Sequence, residues 1–255
     1  MKAVILAGGK GSRLAPYTKI LPKPLMPIGD MPILEILLRQ MKRSGVEEVI
    51  LTVGHLGDLL CSFFQDGSRL GLNIRYSYEE QPLGTAGPLS LIEGLEDTFL
   101  VTNGDVLTTL DLKDLVDFHR LQKGIATIAC HQRIVRIDYG VLQTNPMCEI
   151  TQYIEKPVYD FSVSMGIYVF EPCVLSFIPY NQYLDFPDLV LKLIAAGERV
   201  MSYPYHDYWM DLGRVSDYEQ AVQDFETMKT QFIGDEPVIR SALDRISSSD
   251  KMNNK

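Results

Sequence analysis

Gly8, Gly9 and Gly11 interleave with Lys10 and Arg13 directly after an apolar run at positions 3–7. Glycine lets a backbone take positive φ and approach a ligand with no Cβ in the way. Successive N–H groups in such a turn can face an anion, and Lys10 and Arg13 add cationic side chains to the same loop. The chemistry these residues suit is the cradling of phosphate at the carboxyl end of a first strand, where open α/β sheets bind ligands.

The distribution of charge points the same way. The 255-residue chain carries a formal net charge of −9, yet no Asp or Glu precedes Asp30, while Lys2, Lys10, Arg13, Lys19 and Lys23 all fall in that opening segment. Cations concentrated around a glycine turn in an acidic protein suit a small polyanion. A nucleic-acid binder is more often basic over a whole face. The plainer reading of the lysines is ordinary solvated surface charge. Two other glycine motifs fit poorly. A P-loop needs Lys-Ser or Lys-Thr after its glycine, and none is suitably placed. A dinucleotide turn must open straight into a helix, which Pro16, Pro22, Pro24 and Pro27 block.

The elements that must hold this loop alternate along the first half of the chain. The pattern predicts strands at 3–7, 49–53, 73–78 and 99–102. It predicts helices at 33–41 and 56–64, a short one near 86–93, and one opened by Asp111 and stopped by Gly124. Repeated βα units of this kind imply a mainly parallel sheet with helices on both faces. The second half mixes strands at 126–130, 141–143, 150–154 and 165–170 with a helix near 189–196. A final helix over 217–229 is opened by Ser216 and Glu219 as a capping box. Length suits one large domain or two small ones, and the pattern reads as one continuous unit. We expect a single domain over 1–230, followed by a polar tail over 231–255.

Apolar content of 46% and charged content of 22% are ordinary for a globular chain. Cysteines 61, 130, 148 and 173 have neither pair spacing nor a nearby histidine, and are expected as buried small hydrophobes in a reducing compartment. Histidines 55, 119, 131 and 206 lack metal-like spacing and receive no role. No apolar run approaches the ~20 residues of a membrane span, and the apolar start is too short for a signal peptide. A cytoplasmic protein that binds neither membrane nor nucleic acid is expected.

Gly8-Gly9-Lys10-Gly11-Ser12-Arg13-Leu14 followed by Leu21-Pro22-Lys23-Pro24 resembles the sugar-phosphate nucleotidyltransferases, or nucleotide-sugar pyrophosphorylases. The resemblance runs on through Glu80-Gln81-Pro82-Leu83-Gly84-Thr85-Ala86-Gly87, Asn103-Gly104-Asp105, Tyr139-Gly140-Val141 and Glu155-Lys156-Pro157. It ends at Trp209-Met210-Asp211-Leu212-Gly213 and Asp217-Tyr218, so that only the tail lies outside it. It implies a Rossmann-like α/β domain with a mixed, mainly parallel sheet, here without the β-helical extension of some members. The implied reaction joins a nucleoside triphosphate to a sugar 1-phosphate, giving a nucleotide-diphospho-sugar and pyrophosphate. A phosphate oxygen of the sugar attacks the α-phosphorus in line, with Mg²⁺ as cofactor. No enzyme nucleophile is needed, because such transfer rests on positioning and charge stabilisation.

Carried onto this sequence, the resemblance makes Arg13, Lys23 and Asp105 catalytic. Leu6, Ala7, Gly8, Gly9, Gly11, Gln81, Gly84, Thr85 and Ala86 become nucleotide contacts. Tyr139, Gly140, Glu155, Lys156 and Gly166 become sugar-phosphate contacts, and Asp105 with Asp211 the metal ligands. Asp217 is read as a helix cap and Trp209 as a core or wall residue. Ser12, where threonine is frequent, keeps the hydroxyl. The Pro-Leu-Gly-Thr-Ala-Gly loop resembles single-domain bacterial guanylyltransferases acting on mannose, heptose or amino-sugar phosphates. GTP is therefore expected, with dTTP or UTP as the alternative and a monomer or homodimer as the assembly. A different class, a catalytically silent nucleotide-sugar-binding regulator, has no chemical need for Arg13, Lys23, Asp105, Lys156 and Asp211 together.

Overall fold

The computed structural model describes residues 1–234. Its strands are β1 (Lys2–Leu6), β2 (Pro27–Ile28), β3 (Met31–Pro32), β4 (Glu48–Val53), β5 (Asn73–Tyr78), β6 (Phe99–Asn103), β7 (Val106–Thr108), β8 (Ala126–Arg136), β9 (Val141–Thr144), β10 (Ile150–Ile154), β11 (Val158–Phe170), β12 (Val200–Tyr205) and β13 (Trp209–Asp211). The α-helices are α1 (Ile33–Arg43), α2 (Gly57–Phe64), α3 (Leu112–Gln122), α4 (Phe186–Ala195) and α5 (Val215–Ile233).

Seven strands form one sheet in the order β12-β8-β11-β6-β1-β4-β5. β1 pairs in parallel with both β4 and β6, β4 with β5, and β12 with β8, while β11 runs antiparallel between β6 and β8. Ala3, Val4 and Ile5 are wholly buried at its centre, as an apolar strand covered on both faces requires. One face packs on α1, α2 and α3 through Leu37, Leu60 and Leu115. The other packs on α4 and short 3₁₀ turns through Leu89, Phe170 and Leu189. A third cluster, Leu14, Ile33, Leu107, Leu212, Phe225 and Phe232 among others, ties the proline-rich entry loop and α5 to the outer side of α1.

Several details differ from the sequence pattern. β8 and β11 run on past the sheet as a two-stranded ribbon, pairing Val158 with Arg136 at its tip, and β7, β12 and β13 had no distinct sequence signature. α5 starts at Val215, and Asp217 rather than Ser216 or Glu219 closes its first turn by accepting the Arg214 N–H at 2.9 Å. α5 also continues beyond residue 230, because Phe232 and Ile233 are buried. The rest of the expected tail, 235–255, lies outside the described residues. All four cysteines are free thiols, but none is buried, and Cys148 and Cys173 are exposed. Cys61 lies on α2, Cys130 on β8, Cys148 in the β9–β10 turn and Cys173 in a 3₁₀ turn, each at a position that reaches solvent.

His119 is fully buried under β8. Its Nε2 lies 3.1 Å from Glu171 Oε1 and its Nδ1 2.8 Å from the Thr127 hydroxyl. An ionised carboxylate only accepts, so Nε2 carries the proton and Nδ1 accepts from Thr127. Burial pushes this imidazole below its ordinary pKa, against a smaller opposing effect of Glu171. A lowered folded pKa gives stability that is complete above the unfolded value of about 6.5 and is lost as pH falls below it. Thermal melts taken from about pH 7.5 down to about 5.5 should show a falling Tm, and His119→Gln should flatten that slope. An unchanged slope in the variant assigns the acid sensitivity elsewhere.

Candidate functional site

Because β1, β4 and β6 are parallel and adjacent, their carboxyl ends share one edge of the sheet. Leu6 sits level with Thr52 on one side and Asn103 on the other. Chain exit is locked there: Ala7 N–H donates to Thr52 O at 2.9 Å, and Gly104 N–H to Leu6 O at 3.0 Å. The glycine turn 8–11 therefore rises between the ends of β4 and β6. Gly11 has φ +58°, and a Cβ there would come within 3.0 Å of the Thr18 side chain. Thr18 in turn donates its hydroxyl to Gly11 O at 2.8 Å, so the turn is pinned from inside.

Two connected hollows open on this edge. The larger, about 760 Å³, is lined by Leu6, Gly8, Gly9, Gln81, Gly84, Thr85 and Asp105 among the expected residues. The smaller, about 250 Å³, is lined by Leu6, Ala7, Gly9, Gly11, Arg13, Lys23 and Asp105. Leu6, Gly9 and Asp105 border both, so Asp105 stands at their junction. Lys10 joins the larger hollow. Lys2 does not belong to the cationic cluster: it lies at the opposite end of β1, donating to Gly94 O at 2.6 Å.

Lys23 is buried and hydrogen-bonded to Asp105 Oδ2. Asp105 Oδ1 is also buried but has no partner among the described residues. A buried carboxylate oxygen without a donor costs roughly 1–3 kcal/mol or more, so this atom is left for something the protein does not supply. Asp211 arrives from far along the chain. β13 pairs antiparallel with β7, setting Asp211 level with Val106, and Leu212 N–H donates to Asp105 O at 3.2 Å. Arg13 closes the group: a Cβ on Gly213 would lie 3.1 Å from Arg13 Nη1 and 3.2 Å from Asp211 Oδ2. Two carboxylates and two cations from three separate segments thus converge.

The base-side loop is held by partners that no local spacing announced. Asp185 Oδ1 accepts from Thr85 N–H at 2.9 Å and from its hydroxyl at 3.1 Å, and Tyr183 donates to the other oxygen at 2.5 Å. Ala86, expected as a nucleotide contact, is fully buried, and its N–H is bonded to Leu184 O at 2.8 Å. It supports the loop and presents nothing to a ligand. Glu79 spans the two loops. Its Oε2 accepts from Leu83 N–H at 3.1 Å, and its Oε1 would lie 2.8 Å from a Cβ on Gly8. Burial raises its pKa, an effect the Leu83 N–H opposes. His55 and Tyr183 also line the larger hollow; nothing in their spacing singled them out.

The expected sugar-side residues are only partly assembled with the rest. Gly166, at φ +73°, lies where β11 breaks register with β8, and a Cβ there would be 2.6 Å from Asn103 Nδ2. Asn103 lines the larger hollow, so Gly166 borders the site. Tyr139, Gly140, Glu155 and Lys156 flank the β9–β10 hairpin beyond the ribbon and line neither hollow. Tyr139 is 79% exposed, and Glu155 accepts from the Tyr153 hydroxyl at 3.0 Å. Trp209 packs half-buried against the main core and donates its indole N–H to Met165 O at 3.0 Å.

A family model described as "Nucleotidyl transferase" matches residues 2–228. The chain belongs to the nucleotidyl transferase family. It is 38% identical over 244 residues to a UTP–glucose-1-phosphate uridylyltransferase of Synechocystis, covering 88% of this chain and 63% of that one. It is 36% identical to a mannose-1-phosphate guanylyltransferase of Mycobacterium tuberculosis, covering 87% and 64%. The chain thus spans less than two thirds of the length of these relatives. In structure it resembles HddC from Yersinia pseudotuberculosis, with a TM-score of 0.68 at 24% identity over 88% of this chain and 99% of that one. Nucleotidyl transferases of this family generally use a divalent metal.

The arrangement can hold such a metal. Among the described residues no cluster of three or more His, Cys, Asp or Glu side chains forms a protein-only cage. Hard divalent cations often take one or two carboxylates and complete their shell with water and substrate phosphates, which matches Asp105 and Asp211 with the unpartnered Oδ1.

Asp211 is exposed to solvent, yet the protein packed around its carboxyl raises its pKa, and the charge of Asp105 adds to the rise; Lys23 and Arg13 oppose it. A carboxyl with a raised folded pKa destabilises the fold once pH passes the unfolded value near ~4. Asp211→Asn should therefore raise Tm at neutral pH, by about 2–4 °C per kcal/mol relieved, while lowering activity. The gain should vanish at acid pH, where both states are protonated. An unchanged or lowered Tm at neutral pH would refute the crowding.

Proposed function

We propose that residues 1–230 form a catalytic domain that transfers a nucleotidyl group from a nucleoside triphosphate to a sugar 1-phosphate, releasing pyrophosphate. The observation that carries this reading is the junction at Asp105, where a buried lysine, a second carboxylate and an arginine meet under a glycine turn. The chemical difficulty is bringing two polyanions together. Backbone amides at 8–11 wrap the triphosphate, and Arg13 in the smaller hollow holds the departing β- and γ-phosphates with its planar fork. Lys23 is prevented from wandering by Asp105 and by burial, so its charge is fixed toward the reacting phosphates at no reorganisation cost. Mg²⁺ bound by Asp105 and Asp211 would supply neutralisation of phosphate charge.

GTP is the proposed donor. The larger hollow offers Glu79, Glu80 and Gln81 as acceptors, and a guanine edge carries two N–H donor groups where uracil carries one. UTP is the second reading, favoured by the 38% identity to a uridylyltransferase. The sugar 1-phosphate is of the mannose, heptose or hexosamine type, met by Tyr139, Gly140, Glu155, Lys156 and Gly166. No helix of the described residues is long and apolar enough to cross a membrane, and four free thiols fit a reducing cytoplasm. Pyrophosphate release, assayed with each triphosphate against a panel of sugar phosphates with and without Mg²⁺, tests the reading. Turnover with GTP and one such sugar is expected. Silence across every pair despite nucleotide-sugar binding would replace the enzyme by a regulator.

A further inference from the structure

Nine of the twenty large apolar side chains exposed in the described structure fall between positions 134 and 161, on the β8–β11 ribbon and the β9–β10 hairpin. Single exposed apolar residues are unremarkable, whereas a contiguous set marks an interaction surface. The ribbon is exposed on both faces from 132 to 136, and an isolated two-stranded ribbon is marginal in water.

Side chains alternate across a strand. One face therefore carries Arg136 opposite Val158 and Ile134 opposite Asp160. These four make a two-by-two block with charges on one diagonal and apolar groups on the other. Ile134 and Val158 are each 61% exposed. No ion pair engages Arg136 among the described residues. Among the described residues Asp160 accepts only from Gln132, at 2.6 Å. The opposite face is engaged at its base, where the His131 and Trp209 rings lie 5.5 Å apart on the β13 side that leads to Asp211, while Val135 and Phe161 stay exposed nearer the tip.

We propose that this face is the interface of a two-fold dimer of the chain. An axis along the apolar diagonal exchanges the charged corners. Each Arg136 then meets the partner's Asp160, and Ile134 and Val158 meet their own copies. Such self-matching is what an isologous contact demands, and it crosses the ribbons near a right angle, a known mode of sheet packing.

Sedimentation velocity on the full chain at micromolar concentrations tests this. The wild type should sediment as a dimer. Arg136→Asp and Asp160→Arg, each alone, place like charges at both corners and should weaken association by about tenfold or more. An equimolar mixture of the two variants restores opposite charges at both corners and should recover the dimer. A monomeric wild type, a dimer indifferent to both substitutions, or a mixture that fails to recover would each overturn the proposal. Circular dichroism on these exposed-site variants checks that the fold is intact.

Discussion

Asp105→Asn is expected to lower kcat by about 10³-fold, some 4 kcal/mol of transition-state stabilisation, with little change in Tm. Two features of Asp105 separate activity from fold here. Oδ2 bonds Lys23, and an amide keeps a carbonyl oxygen that can accept from that buried cation. With that acceptor kept and the Asp211 carboxylate still close enough to feel the Lys23 charge, the variant is spared much of the cost of about 3–5 kcal/mol that follows when a buried charge is left with no partner. Oδ1 is different: it is buried and has no donor among the described residues, so its negative charge is available to the proposed cation. Replacing it with a neutral group removes half of the proposed cation site. Steady-state pyrophosphate release across a Mg²⁺ titration, with thermal melts alongside, is the measurement. Near-wild-type turnover at ordinary Mg²⁺ would take Asp105 out of the reaction.

Arg13→Ala is expected to cost activity on the order of 10³-fold or more, because charge clamps on a transferring phosphate carry effects of that size. Arg13 is solvent-exposed and lines the smaller hollow, so the fold should be unaffected. A second readout distinguishes it from a general loss. Arg13 holds the Asp211 pKa down, against burial and Asp105, which raise it. Removing the guanidinium lets that pKa rise further. The acid limb of residual activity should accordingly move to higher pH in the variant, and Arg13→Lys should restore part of that position. A pH profile identical in shape to wild type would show that Arg13 and Asp211 do not share a field.

Much of this site is legible in the residues themselves. A glycine turn after an apolar run needs only local backbone geometry, and Lys23 between prolines is fixed by neighbours in sequence. The strand ends that carry the turn and Asp105 follow from period and punctuation, so the parallel core was readable to within a residue or two. The loop over 79–87 was found as a motif, yet its internal roles were not: Ala86 turned out buried and Thr85 already bonded to Asp185, a partner far along the chain.

The sequence by itself determined which side chains could handle phosphate, because residue type and local spacing set charge, donor geometry and backbone freedom. Only the tertiary structure decided that Asp211 comes beside Asp105. That depends on the pairing of β13 with β7, a contact across the chain that neither strand's own pattern specifies. It also decided that β8 and β11 overrun the sheet and leave a patterned face uncovered. Long-range pairings of this kind are selected by the sum of packing over the whole core, not by any single segment.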